Sequence, residues 1–474
     1  MKVNSTTQPW FARHRKFVIF GGVGLLAVAL CIGAAVLHSR AERRRARAEI
    51  QKRLDVIRAA GEPVTKEDMA KLYPDPPPER DAALLLAPAV AAVREPDSMM
   101  DLPYFDSTVE LPPKSQPLTD EMRTNMEALV KVNQAALNAI PWDKITNAWI
   151  GSGFARGFDN GLDSRFYRHF HWLWKTLCLK AILEGESGNG TQAVESLRQE
   201  LALFHIFRSE TILDHLISRT GENRFCDALE RILNRTQIPD AGLADAERLL
   251  SDDRPDGLHE AFMSLRCLNI FSMTMIQSTP NSAWAVSNAS QSALSVAVEA
   301  QIFGIYGRLS GKIYSDADFT EMLDARAAQI AALKLPPKER FAEFTRTYAL
   351  AATNGRPLSY AECSFGAAHD WSAQLRTDAE ALAKLRVTRA ALEIERWRLA
   401  HGGRAPDSLA DLTPDFAPSV PLDPFDNNPL RYKKLPRGFM VYSIGADFTD
   451  DGGREKTGGD DDKDNYDIMF SIER

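Results

Sequence analysis

The sequence predicts a mainly α-helical protein in three parts: an N-terminal transmembrane helix, a helical-hairpin body, tetratricopeptide-like or irregular, and a small C-terminal α+β domain. Three observations carry this expectation. Residues 17–37 form an uncharged apolar run, apolar residues recur at helical spacing between 120 and 400, and period-two alternation is confined to the stretch after 420. The chain has 474 residues, 44% of them hydrophobic and 26% charged, enough for a sizeable apolar core. That balance excludes collagen, low-complexity polymers and a polytopic membrane protein.

The first element is the run FVIFGGVGLLAVALCIGAAVL, 21 residues without a charge. At about 1.5 Å per residue it is long enough to cross the ~30 Å hydrocarbon core of a bilayer. A cleaved signal peptide is the alternative. Against it, the run exceeds a usual signal core, and His38-Ser39-Arg40 after it is not a small-x-small cleavage pair. Cys31 follows Leu30, which is too bulky for a lipoprotein site. The lipid bilayer is therefore the first expected partner, through residues 17–37.

Lys2, Arg13, Arg15 and Lys16 precede this run, and a larger group from Arg40 to Arg53 follows it. Taken alone, that surplus puts the body in the cytoplasm. Basic residues directly before an apolar run also make a normal export signal, and the tail discussed below argues for a body outside. The expectation is a single-pass protein of the bacterial inner membrane with most of its chain in the periplasm.

Residues 1–53 hold eleven Lys/Arg against two Asp/Glu, so the remainder carries −16 although the whole chain is only −7. An acidic body repels phosphate backbones, and the one basic patch adjoins the apolar run, so nucleic acid is not an expected partner. The cysteines, Cys31, Cys178, Cys226, Cys267 and Cys363, lie far apart with no C-x-x-C. Neither a zinc pattern nor a disulfide framework results. Buried free thiols are expected, with one or two bridges as the alternative.

The chain divides into a basic tail (1–16), the transmembrane helix (17–37), juxtamembrane helices with a Pro-rich linker (38–118), a helical domain (119–377) and the α+β domain (378–474). A helix over 41–60 ends at Gly61, a new one starts after Thr65 with Glu67 and Asp68 in its first turn, and another covers 81–93. Five prolines between Pro96 and Pro117 read as an ordered extended connection. In the body, Phe166, Phe170, Leu173, Leu177 and Ala181 fall on one helical face, and Val194, Leu197, Leu201 and Phe204 on another. The Gly-rich turn over 184–190 joins them as an antiparallel hairpin. Further helices are expected over 240–250, 258–276, 289–309, 316–333, 337–352 and 378–400, and strands over 430–433 and 439–443.

Chemistry is sparse in the body. His169 and His171 sit at i and i+2, on different helical faces, and no further ligand follows at metal spacing. Gly151, Gly153, Gly157 and Gly161 in GSGFARGFDNG do not keep G-x-G-x-x-G, and no Gly-Lys-Ser/Thr follows. His259-Glu260 is not completed to H-E-x-x-H, and no G-x-S-x-G exists. Residue patterns therefore supply no catalytic candidate.

The C-terminal stretch ADFTDDGGREKTGGDDDKDNYD packs eight aspartates among four glycines. Crowded carboxylates repel unless a cation joins them, and glycines let a loop bend so that oxygens converge, as Ca²⁺ requires. The spacing is not that of an EF-hand. A solvated acidic loop without an ion is the alternative.

The pieces around this loop are RWRLAHGGRAP from Arg396 to Pro406, SLADL from Ser408 to Leu412, PLDPFDNNPL from Pro421 to Leu430, VYSIGAD from Val441 to Asp447, Gly452-Gly453, and Tyr466-Asp467-Ile468. In this order they resemble the globular domain of the major pseudopilin of type II secretion systems, over about a fifth of the chain. The resemblance implies a calcium site: Asp447 as a side-chain ligand, the Ile444 and Thr449 carbonyls as donors, and one or more of Asp460, Asp461, Asp462 and Asp464 as closing carboxylates. The prepilin cleavage motif is absent, and the apolar run lies far upstream of the matching part, so processing and polymerisation as a pilus subunit are not expected. The whole layout resembles membrane-anchored proteins of planctomycete-type and verrucomicrobial bacteria, which implies an address and no activity.

Two functions follow as expectations. One is a membrane-anchored interaction or scaffold protein with a calcium-binding pseudopilin-like tail and an envelope protein as its partner. The alternative is an extracytoplasmic enzyme, a hydrolase with its site in the helical domain, marked by acids or histidines that converge in space.

Overall fold

Helix α1 (Arg15–Ala59) runs unbroken for 45 residues through both the apolar run and the helix expected after it. The computed structural model describes residues 15–95, 102–105, 108–154, 160–250, 257–278, 316–353, 371–455 and 466–474. Gly61 stops α1 at φ +76°, a left-handed conformation that glycine adopts without a Cβ penalty, and its N–H donates to the Arg58 carbonyl. Among the described residues no helix is long and apolar enough to cross a membrane. On α1 these begin, for side chains, at Leu30, so most of the 17–37 run lies outside them.

The far half of α1 belongs to the body. Ile50, Leu54 and Ile57 pack against Ile270, Met273, Phe319, Met322 and Leu323. Arg53 grips Asp324 with two hydrogen bonds, Nε to Oδ1 at 2.7 Å and Nη2 to Oδ2 at 3.0 Å. A forked guanidinium on a carboxylate fixes orientation as well as distance, so the helix direction at residue 53 is set by the body.

Three helices follow: α2 (Lys66–Leu72), opened by a Thr65–Asp68 capping box, α3 (Ala82–Ala92), capped by Asp81, and α4 (Asp120–Asn138), capped by Thr119. The single turn α5 (Trp142–Ile145) leads to the expected hairpin, α6 (Ser164–Glu186) and α7 (Gly190–His205). Both of its predicted stripes are buried. The body continues through α8 (Ile212–Arg235), α9 (Asp240–Leu249), α10 (Gly257–Ser278), α11 (Asp316–Ala332) and α12 (Pro337–Thr353). The helix expected over 289–309 lies outside the described residues.

The sequence pattern did not single out α8, yet α8 packs against α6, α7, α10, the C-terminal helix and the last strand. Its burial explains the miss. Asp214, His215, Ser218, Glu222, Glu230 and Asn234 are buried beside Phe225, Leu229 and Leu233, so polar and apolar residues share the buried side and no apolar stripe stands out.

Helix α13 (Ser372–Ala400) starts six residues before the expected one and leads to a three-stranded antiparallel sheet, β1 (Arg431–Lys434), β2 (Phe439–Ser443) and β3 (Ile468–Ile472), in the order β1-β2-β3. The third strand was not expected. IMFSI is buried on both faces and shows no alternation. The boundary expected at 378 falls inside α13, and one apolar cluster runs across it, joining Leu197 and Leu229 to Leu392, Val441 and Phe470. The tail is therefore packed into the same core as the helical hairpin.

The Pro-rich connection is ordered where described. Leu102 and Leu118 are buried, and Arg231 on α8 donates to the carbonyls of Pro112 (2.7 Å) and Gln116 (3.0 Å). Cys178, Cys226 and Cys267 are buried free thiols; Cys363 lies outside the described residues.

Candidate functional site

The stretch Arg208-Ser-Glu-Thr-Ile-Leu-Asp-His215 turns the chain from α7 into α8. Thr211 is the helix cap: its Oγ accepts from the Asp214 N–H at 3.1 Å and donates to Asp214 Oδ2 at 2.7 Å. Capping places Asp214 and His215 in the first turn of α8, where the helix dipole favours a carboxylate. Just before the cap, Ser209 is held at φ +61°, which a non-glycine residue adopts at a cost of order 1–3 kcal/mol.

Two carboxyl groups meet over one hydroxyl. Ser152 Oγ lies 2.8 Å from Glu210 Oε2 and 3.2 Å from Asp214 Oδ2. Ser152 is brought there by the Ile150 N–H, which donates to the Ile206 carbonyl at 2.9 Å, and by Gly151, where a Cβ would strike Asp75 and Pro76. This close approach accounts for the first glycine in GSGFARGFDNG; Gly157 lies outside the described residues. A hydroxyl has one proton and cannot donate to both acids. A protonated Glu210 donating to Ser152, which donates to Asp214, satisfies the chain. In agreement, burial, reinforced by the Asp214 charge, pushes the Glu210 carboxyl up to about 7. Burial also raises Asp214.

On the next residue, His215 Nε2 meets Asp378 Oδ1 of α13 at 2.7 Å. Asp378 also accepts from Arg219 Nε at 2.9 Å. Burial acts to raise this acid, but the His215 bond and the Arg219 charge outweigh it and hold Asp378 below the usual carboxylate range. An imidazole whose Nε2–H donates to a carboxylate keeps its Nδ1 lone pair free to accept a proton. His215 Nδ1 is buried and has no hydrogen-bond partner among the described residues. It faces Gly257, the first residue of α10. The position that a Cβ would take on Gly257 is 2.4 Å from Ser209 Cβ, 2.9 Å from Ser209 Oγ and 3.1 Å from His215 Nδ1, so the Ser209 side chain fills the room that a side chain at 257 would need. A hydroxyl and an unpartnered imidazole nitrogen thus both lie against Gly257, without a hydrogen bond between them. Hydroxyl, imidazole and a carboxylate behind the imidazole are groups of the kind that an activated nucleophile uses.

The residues named for calcium are only partly in view. Asp423 is fully buried and accepts from Phe425 N, Ser443 Oγ and Ile444 N, each at 2.9 Å, and from Arg431 Nη1 at 2.7 Å, which ties the PLDPFDNNPL segment to VYSIGAD. The turn at Gly445 (φ +73°) follows, and Asp447 Oδ1 accepts from the Thr449 N–H at 3.0 Å. Ile444, Asp447 and Thr449 therefore share one turn, whereas Asp460, Asp461, Asp462 and Asp464 lie outside the described residues. Among the described residues no group of three or more His, Cys, Asp or Glu side chains is placed to hold a metal ion. The donor set in view contains one carboxylate, fewer than calcium needs. From the other end, Asp467 closes the loop by accepting from the N–H groups of Gly453 (2.6 Å), Arg454 (3.3 Å) and Asp451 (3.4 Å).

His169 and His171 do not meet. His169 Nδ1 contacts the Val90 carbonyl at 2.6 Å and its Nε2 contacts Glu95 at 2.9 Å, while His171 Nδ1 accepts from Trp174 Nε1 at 3.0 Å. The residues that sequence reasoning missed are Ser209, Glu210, Asp214 and His215. Their signal was present: a serine, two acids and a histidine within seven residues around a Thr cap, without any familiar nucleophile motif.

No protein-family model, no curated protein and no solved structure matches this chain.

Proposed function

We propose that the protein is a membrane-anchored hydrolase of the bacterial cell envelope, held by residues 17–37 and cleaving acyl esters in its helical body with Ser209 as nucleophile. The observation that carries this reading is that Ser209 Oγ and His215 Nδ1 both lie against Gly257, with Asp378 holding the far side of the ring. As Ser209 Oγ bonds to the ester carbonyl carbon, His215 Nδ1 takes the hydroxyl proton. The proton then goes to the departing alkoxide, and water releases the acyl group by the same route. Asp378 fixes the tautomer and faces the imidazolium charge. The test is hydrolysis of p-nitrophenyl butyrate by the full chain in lipid nanodiscs. Activity that falls at least about a hundredfold in both Ser209→Ala and His215→Gln, with melting temperatures retained, is the expected outcome. Equal activity in wild type and Ser209→Ala rejects the reading.

A second reading keeps the tail as an interaction or scaffold element that binds calcium, with an envelope protein as partner. What favours it is the formed turn from Ile444 to Thr449, which rests on the buried Asp423 and carries Asp447 at a half-exposed position. The pseudopilin resemblance and an outward-facing body belong to this reading as well.

A further inference from the structure

Helix α1 carries Arg40, Arg43, Arg44 and Arg47 at i, i+3, i+4 and i+7, which brings four guanidinium groups to one face. All four are exposed, and among the described residues none of them meets an acid. The neighbouring cations are engaged: Arg45 bonds to Glu42 at 3.0 Å, and Arg53 bonds to both Asp324 and Glu49. Like charges three and four residues apart on a helix repel, so the stripe destabilises its own stretch of α1 until an anion covers it.

The position of the stripe along α1 decides which anion that is. Just before it, Leu30, Ile32 and Leu37 are 64%, 60% and 67% exposed, large apolar side chains that the body leaves uncovered. Arg40 and Arg44 stand about 5 and 10 Å beyond Leu37 along the unbroken helix. The headgroup layer on each side of a bilayer is roughly 5–8 Å deep. Side chains on a helix tilt toward its N-terminus, here toward the apolar run, and the long arginine stem lets the charged end reach a phosphate. The body cannot cover the stripe by rolling α1, because Ile50, Leu54 and Ile57 are packed and Arg53 forks onto Asp324.

We infer that Arg40, Arg43, Arg44 and Arg47 bind the phosphate headgroups of anionic phospholipids in the bilayer that holds residues 17–37. The inference rests on that anchor and is independent of hydrolysis at Ser209. A guanidinium can donate to two phosphate oxygens at once, and a stripe of four along one helix face suits a surface of many monoanions better than one small ligand.

The test is native mass spectrometry of the full chain released from nanodiscs of equal phosphatidylcholine and phosphatidylglycerol, counting the lipids that stay bound. Wild type is expected to retain phosphatidylglycerol about fivefold or more over phosphatidylcholine. The variant Arg40→Gln/Arg43→Gln/Arg44→Gln/Arg47→Gln should lose that preference. If it unfolds, Arg43→Gln/Arg47→Gln keeps the test valid and should lose part of the preference. A charge-matched variant at exposed positions of the body, Lys131→Gln/Lys144→Gln/Arg165→Gln/Arg404→Gln, should keep it. Equal retention of the two lipids by wild type, an unchanged preference in both stripe variants, or its loss in the charge-matched variant overturns the inference. A DNA duplex that binds the wild type but not the stripe variant, with no lipid preference, would assign the stripe to nucleic acid instead. Alkaline carbonate extraction separates the two readings: release of the full chain rejects the anchor and the inference with it, whereas retention without a lipid preference rejects the inference alone.

Discussion

Asn234 on α8 is bonded to Ser471 on β3 much as a neighbouring strand would be: its Nδ2 donates to the Ser471 carbonyl at 2.8 Å, while its Oδ1 accepts from the Glu473 N–H at 2.9 Å. One turn earlier on α8, Glu230 Oε1 accepts from the Ser471 N–H at 2.7 Å and is itself held by Lys114 at 2.7 Å. The outer edge of the sheet is therefore closed by helix side chains, which removes an open row of backbone groups. The sheet and α8 are stapled to one another by buried polar bonds as well as by their common core.

Replacing Asn234 by Leu should destabilise the whole chain, because it strands the buried Ser471 carbonyl at about 1–3 kcal/mol. The check is thermal unfolding followed separately by a probe in α6, such as Trp174, and by a probe on the sheet. A lower melting temperature shared by both probes is expected. A transition confined to the sheet would show that the tail unfolds independently.

Stability should fall as pH rises from about 5 to about 8. The fold favours the neutral form of Glu210, whose carboxyl is pushed up to about 7, and of Glu393, pushed up to about 8, in each case chiefly by burial. Folded values raised above the ordinary 4.5 mean that this stability is complete below 4.5 and is lost as pH climbs through the raised values. The Glu210 share is at most about 3 kcal/mol. Melting temperatures across this range should decline less steeply in Glu210→Gln than in wild type; parallel curves would remove Glu210 from the account.

Gly257→Ala should push Ser209 out of its place beside His215. The added methyl would fall 2.4 Å from Ser209 Cβ, 2.9 Å from Ser209 Oγ and 3.1 Å from His215 Nδ1, so Ser209 must move. Ester hydrolysis should drop at least about a hundredfold, while overpacking costs about 1–3 kcal/mol of stability. Unchanged hydrolysis in a folded variant would mean that the placement of Ser209 beside His215 does not serve the reaction.

If calcium occupies the tail as the pseudopilin resemblance implies, millimolar calcium should raise the melting temperature of the full chain and EGTA should reverse the gain. Asp447→Ala should abolish it. A calcium effect that survives Asp447→Ala would place the ion elsewhere, and no effect at all would leave Asp447 as the cap of the Thr449 turn.

Much of the helical body was legible because its helices bury one stripe: Phe166, Phe170 and Leu173 on α6, and Val194, Leu197 and Leu201 on α7, needed only helical periodicity. α8 and β3 were not, for opposite reasons. α8 mixes buried acids with buried apolar residues, and β3 is buried on both faces, so neither shows a clean apolar period. The candidate site was hidden for a third reason: Asp378 lies 163 residues from His215, and nothing local announces that pairing. The tail turn was legible only as motif fragments, whose common anchor, the buried Asp423, becomes visible through its four hydrogen bonds.

The measurement that bears most directly on the hydrolytic site is covalent labelling of the folded full chain with a fluorophosphonate, followed by mass spectrometry of the peptide spanning α7 and α8. The expected result is a single adduct on Ser209 that disappears in His215→Gln, because the hydroxyl reacts only when the imidazole takes its proton. An unlabelled Ser209 in the folded wild-type chain, or a label that persists undiminished in His215→Gln, would contradict the proposal.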